Sequence, residues 1–187
     1  MAFIDSIPAA NEAVGTVIGR YPKQAIPLTE LTEVVMRTDP GPFTNEEREL
    51  IAAFVSGTNG CTFCYDTHRA TAEAFGVDAK LLEALLTDID SASIDEPMKA
   101  ALRYARKLTL TPSRLTQDDV DAVMRAGWDE AAFHYIVMIT ALFNLYNRLM
   151  DGYGVRNTAE FRQERGELLA ESGYAWVLDR FRQAQNP

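Results

Sequence analysis

The stretch from Ala131 to Met150 is apolar nearly all the way round a helix, and that constrains this chain more than any other feature. A helix with no polar face has to be enclosed by other elements. Asp129 can cap it, and Gly152 and Gly154 can end it. It therefore reads as a buried central helix around which the rest of the chain must pack. Start and stop signals elsewhere are helical too. Thr44 and Glu47 have capping-box spacing and open a helix to about Ser56, which Gly57 to Gly60 interrupt. A helix beginning at Cys61 ends at Gly76, and Asp78 caps a short one through Leu85. Glu96-Pro97 begin a helix to about Leu110, and Thr116 with Asp119 open one that Gly127 closes. Pro8 and Pro27 suit first turns, giving helices from about Ala9 to Ile18 and Leu28 to Arg37. Asp39-Pro40-Gly41-Pro42 is a firm break, and helices at about 159–171 and 174–184 finish the chain. Alternating β-branched runs are missing, so the expected fold class is all-α. Ala74 to Val77 and Gly152 to Val155 close similar helices, a hint of an internal repeat whose second copy has no Cys or His.

With 187 residues the chain fits one domain, 1–187. Its net charge of −9 argues against a nucleic-acid partner, which requires a clustered cationic face. No apolar run is long enough for a membrane span. Met1 to Ala10 lack the basic and apolar regions of a signal peptide, so a cytoplasmic protein is expected.

The two cysteines, Cys61 and Cys64, stand as C-x-x-C, a spacing that in a reducing compartment means redox chemistry or a metal site. Cys61, Cys64 and His68 fall within an arc of roughly 60° on one helix face, with His68 one turn beyond Cys64. Both thiols sit in the first turn, where unpaired N–H groups favour a thiolate. A thiol there with a histidine one turn on is the layout of an activated sulfur nucleophile. Phe63 points away, toward the core. Glu49, on the preceding helix, could orient His68 if the two helices meet through Ala52, Ala53 and Ser56. Zinc held by Cys61, Cys64, His68 and Glu49 is an alternative use of the same side chains, in a non-catalytic helical module. Asn144, Asn147 and Arg148 share one face of the apolar helix and read as structural hydrogen-bonding groups. His134 reads as a half-buried structural residue, and Tyr65, though near the thiol face, as a packing one.

Glu49, Asn59-Gly60-Cys61, Cys64 and His68, in the pattern E-x11-C-x2-C-x3-H, resemble the AhpD-like group of the carboxymuconolactone decarboxylase superfamily. The later segment Phe143 to Arg148 is similar to its peroxidase-related, alkylhydroperoxidase-like branch. That resemblance implies a multi-helix AhpD-like domain with the redox motif at 44–77, a second helical half at 96–155 and C-terminal helices at 159–184. It further implies a homo-oligomer, trimer or hexamer, and thiol-dependent reduction of a hydroperoxide with no cofactor or metal. By the same resemblance Cys64 is the peroxidatic sulfur, Cys61 the resolving one, and Glu49 with His68 the proton relay. Thr62 and Phe63 stand where the best-known alkylhydroperoxidases of the family place a histidine between the cysteines. The partners expected are a hydroperoxide and an external dithiol or protein reductant, which would attack at Cys61, the sulfur nearer the helix end and so expected to be the more exposed. A disulfide reductase using the same dithiol is the second enzymatic reading.

Overall fold

The computed structural model describes residues 2–4, 7, 14–38, 40–156 and 158–185. Within them the chain is helical without a strand. The order is α1 (Val14–Ile18), α2 (Pro22–Glu33), α3 (Asn45–Thr58), α4 (Thr62–Ala74), α5 (Ala79–Thr87), α6 (Glu96–Leu110), α7 (Gln117–Arg125), α8 (Glu130–Tyr153), α9 (Ala159–Ser172) and α10 (Ala175–Gln185). No helix among the described residues is long and apolar enough to cross a membrane.

Local chemistry sets most of these boundaries. The Thr44–Glu47 capping box opens α3, and Asp78, Asp95 and Asp129 accept N–H groups at the starts of α5, α6 and α8. The α4 and α8 ends share one cap. Gly76 and Gly154 turn left-handed, and Val77 and Val155 donate back to Ala72 and Met150 at 3.0 Å. The repeat hint is thus a repeated helix stop. Three expectations shift. Helix α3 runs on through Gly57 to Thr58. Pro27 lies inside α2, which Pro22 opens; the missing N–H costs one internal bond, and the tertiary packing of α2 outweighs it. Past Glu33 the chain widens into a π-turn, Val34–Thr38. Of the helix expected from Ala9, residues 14–18 are helical, and 8–13, like Asp39, lie outside the described residues.

One face of α8 meets α3, α4 and α6, but the helix is not enclosed all round as its apolar circumference suggested: His134, Ala141, Leu145 and Arg148 form an exposed stripe along it. Ile136, Ile139, Phe143 and Met150 are all but inaccessible there. Helices α4 and α9 run side by side in the same direction, Phe63 by Phe161, Asp66 by Arg162 and Ala70 by Gly166. A Cβ at Gly166 would come within 2.6 Å of Ala70, so glycine permits this approach.

Candidate functional site

Gly60 sets the start of α4. Its φ of +72° turns the chain after Asn59, and the Cys61 N–H closes on Ser56 O at 3.0 Å. Cys61 becomes the N-cap of α4 and Cys64 its third residue, so both sulfurs lie at the helix N-terminus. The preceding turn is tied to α8. Asn59 donates to Asn144 Oδ1 (3.2 Å) and Asn147 Oδ1 (2.7 Å), and Asn147 Nδ2 donates to Ser56 Oγ (3.0 Å). Arg148 caps the group through Asn144. These three polar residues of α8 do the structural hydrogen-bonding their spacing suggested.

Glu49 on α3 has no exposed surface. Its Oε2 lies 2.7 Å from His68 Nδ1, while Oε1 accepts from Arg37 Nη2 at 2.6 Å and Tyr174 Oη at 3.0 Å. Burial pushes the carboxyl pKa up, but His68 and Arg37 outweigh it and hold Glu49 below the usual glutamate range. The Tyr174 phenol is pushed well above its usual range by burial and by the Glu49 charge, so it stays a donor. Arg37 also donates to Met36 O and Leu169 O, and it lies over the Phe75 and Tyr174 rings. The π-turn presents Arg37, and Arg48 fixes that turn by donating to Val35 O at 3.0 Å. Sequence reasoning missed Arg37 and Tyr174; neither carries a spacing signal relative to the C-x-x-C pair. With Nδ1 engaged by Glu49, Nε2 is the His68 nitrogen left for a proton in transit. Phe143 packs edge-on against the ring, centroids 4.4 Å apart.

Cys64 and His68 line a cavity of about 330 Å³, whose wall also includes Phe63, Phe143, Tyr146 and Phe161. Phe63 is buried as expected, but against Phe161 and in that wall rather than away from it. Burial pushes the Tyr146 phenol up to about 12; it shares a 2.8 Å hydrogen bond with Thr32. Tyr65 is off the cavity and packs by Arg69, and His134, expected to be half-buried, is exposed and does not line the cavity.

The two thiols are free and unlike. Cys61 does not line the cavity and, contrary to the expectation for a residue at a helix end, has no exposed surface. Helix α8 covers it, and its Sγ–H lies 3.8 Å from Asn147 O. Its pKa is held below the ordinary thiol range, first by the Cys64 thiol hydrogen bond, against burial, with help from the Cys64 backbone N–H. The same bond, together with burial, pushes Cys64 well above that range. When the pair loses its first proton, the negative charge is therefore favoured on Cys61. Among the described residues no three His, Cys, Asp or Glu side chains converge as metal ligands, and both Glu49 oxygens are already engaged.

The described residues thus form an all-helical bundle that brings together a buried pair of thiols, a carboxylate-bound histidine and a largely aromatic cavity. Residues 26–107 match the carboxymuconolactone decarboxylase family. Over 111 residues the chain is 34% identical to the uncharacterized protein YdfG of Bacillus subtilis (strain 168), spanning 58% of this chain and 74% of that one. A structure from Ralstonia eutropha JMP134, an alkylhydroperoxidase AhpD core described as an uncharacterized peroxidase-related protein, superposes with a TM-score of 0.73. It is 25% identical, over 82% of this chain and 80% of that one. A second peroxidase-related protein, from Silicibacter sp. TM1040, shares the fold with a TM-score of 0.69 at 24% identity, over 75% and 73% of the two chains. The chain belongs to the carboxymuconolactone decarboxylase family, which is a family of enzymes, and has the AhpD-like fold.

Proposed function

We propose that the protein is a thiol-dependent alkylhydroperoxide reductase in which Cys64 is the sulfur that meets peroxide. The observation that carries this reading is the chain of contacts from a buried carboxylate, through His68, to a cavity wall shared by His68 and Cys64. Charge favours a thiolate on Cys61, but a peroxide can react only with a sulfur it reaches, and the cavity presents Cys64.

His68 Nε2 takes the Cys64 proton while Glu49 holds the imidazolium. The thiolate attacks the terminal oxygen of R–O–O–H, the O–O bond breaks, and the alkoxide leaves as R–OH with the proton from His68. Cys64 becomes a sulfenic acid. The Cys61 sulfur attacks it, water departs, and a Cys61–Cys64 disulfide remains. In sum, one hydroperoxide and two thiols give an alcohol, water and a disulfide.

An external dithiol then restores the pair. It must come through the cavity, so it attacks Cys64 rather than Cys61, and Cys61 leaves. A depressed pKa makes Cys61 the better leaving group. That order reverses the one suggested by sequence position, and the burial of Cys61 is the reason. The same burial disfavours a protein-disulfide reductase, which needs a sulfur that a folded partner can touch. In this reading the whole chain, 1–187, is one domain working in the cytoplasm as a homo-oligomer, a trimer or hexamer.

Dimedone trapping of single-cysteine variants tests the assignment. Cys64→Ser abolishes peroxide reduction, and Cys61→Ser carries the sulfenic acid adduct on Cys64. An adduct on Cys61 in the Cys64→Ser protein, with peroxide consumption intact, reverses the roles.

A further inference from the structure

The same cavity contains a feature that the thiol cycle does not use. Its wall carries two arginines, Arg165 of α9 and Arg180 of α10, in a chain whose net charge is −9. Their neighbours on these helices are matched with carboxylates, Arg162 with Asp66 and Arg182 with Glu30. Among the described residues neither Arg165 nor Arg180 has an ion pair or a hydrogen bond. Arg165 is instead held between two rings, 4.8 Å from the Phe161 centroid and 4.4 Å from that of Trp176. Trp176 also lines the cavity, and its indole N–H is buried without an acceptor. Arg180 also lies by that indole, 6.0 Å from its centroid. Burial, with Arg180 nearby, lowers the Arg165 pKa, a strain that an anion would relieve.

Burial orders the cavity from end to end. Arg180 is exposed, Arg165 half-buried, and Cys64 and His68 almost wholly covered. Aromatic rings link the two regions: Arg165 lies 4.8 Å from the Phe161 centroid, which is 6.4 Å from that of Phe63, next to Cys64 in the chain, and Phe181 also lines the wall. An apolar pocket with a few fixed polar groups at one end selects a ligand with an apolar body and one matching head. A guanidinium, with its fork of N–H donors, matches a carboxylate, and a half-buried arginine is fitted to it better than a lysine would be.

Building on the reading of Cys64 as the peroxide-reactive sulfur, the geometry points to a substrate class: hydroperoxides whose apolar body ends in a carboxylate. The carboxylate sits on Arg165 and Arg180, the body lies along Phe63, Phe161 and Phe181, and the peroxide reaches Cys64. The arginines bind and position the substrate; the redox step is unchanged.

The test compares hydroperoxydodecanoic acid, with the peroxide at the far end of the chain, with its methyl ester, below the micelle concentration and in equal dithiol. The acid should have a kcat/KM at least about tenfold above the ester, carried mainly by KM and shrinking as salt is added. Arg165→Gln should bring the acid-to-ester ratio down toward about one. Arg180→Gln, at an exposed position that folding tolerates, should lower the ratio severalfold. Equal use of acid and ester by the wild-type protein overturns this inference and leaves the peroxidase reading standing. No turnover of either overturns the peroxidase reading itself. A folded Arg165→Gln protein that keeps the full wild-type ratio also overturns the inference.

Discussion

Replacing Glu49 with glutamine changes one oxygen into an N–H₂ group at the most connected point of the site. The carboxylate now accepts from His68, Arg37 and Tyr174. A glutamine can keep its oxygen toward the two donors Arg37 and Tyr174 only by turning its N–H₂ toward His68 Nδ1. Nδ1 then accepts, the ring proton moves to Nε2, and Nε2 loses the lone pair that would take a proton from Cys64. The opposite rotamer sets N–H₂ against the Arg37 guanidinium, donor facing donor. Wrong-tautomer substitution in a serine-protease triad costs about 10⁴ in kcat, and general-base catalysis contributes about 10²–10⁴. We expect a loss of about 10³-fold in the single-turnover rate of peroxide reduction. Stability should fall as well. Breaking one side of a buried ion pair costs about 3–5 kcal/mol. Arg37 keeps two carbonyl acceptors and two aromatic faces, which places the expected loss near the low end, about 3 kcal/mol. Stopped-flow thiol oxidation and urea unfolding read the two effects separately. A folded Glu49→Gln protein whose rate stays within about threefold of wild type, against the expected factor, refutes the relay.

Two further outcomes follow from the charges. The preference of the first negative charge for Cys61 should appear in thiolate absorbance near the ultraviolet sulfur band. The first titration step in wild type lies below that of Cys64→Ala, because the Cys64 thiol is the largest influence lowering the Cys61 pKa; an unchanged step in Cys64→Ala contradicts the pairing. Glu49, with its folded pKa depressed, adds stability that is complete above the ordinary glutamate range and is lost as pH falls through the depressed value. The urea midpoint should therefore drop below about pH 4.5, and drop less steeply in Glu49→Gln; parallel acid slopes for the two proteins would argue against it.

Much of this site was legible along the chain because it is built from local geometry. Capping chemistry marks Thr44, Asp95 and Asp129, and the i, i+4 step from Cys64 to His68 puts both on one cavity wall. The apolar pattern of α8 foretold its buried face but not the stripe through Ala141 and Leu145 that stays exposed, and the three polar residues interrupting it turned out to hold the turn before Cys61. What escaped depends on tertiary closure. Tyr174 reaches Glu49 across 125 positions, and Arg37 arrives on a π-turn that no spacing announces. Cys61 looked exposed because it stands at a helix end, but the end is covered by α8. Proline inside α2 misled for a similar reason: local propensity is a weak prior once packing surrounds a helix.

Intact mass spectrometry under denaturing conditions, before and after a small excess of organic hydroperoxide, bears most directly on the central claim. A loss of about two mass units, one disulfide, is expected for each peroxide consumed, with no change in Cys64→Ser or after prior thiol alkylation. A polypeptide whose mass and free-thiol count are unchanged while peroxide persists would contradict it.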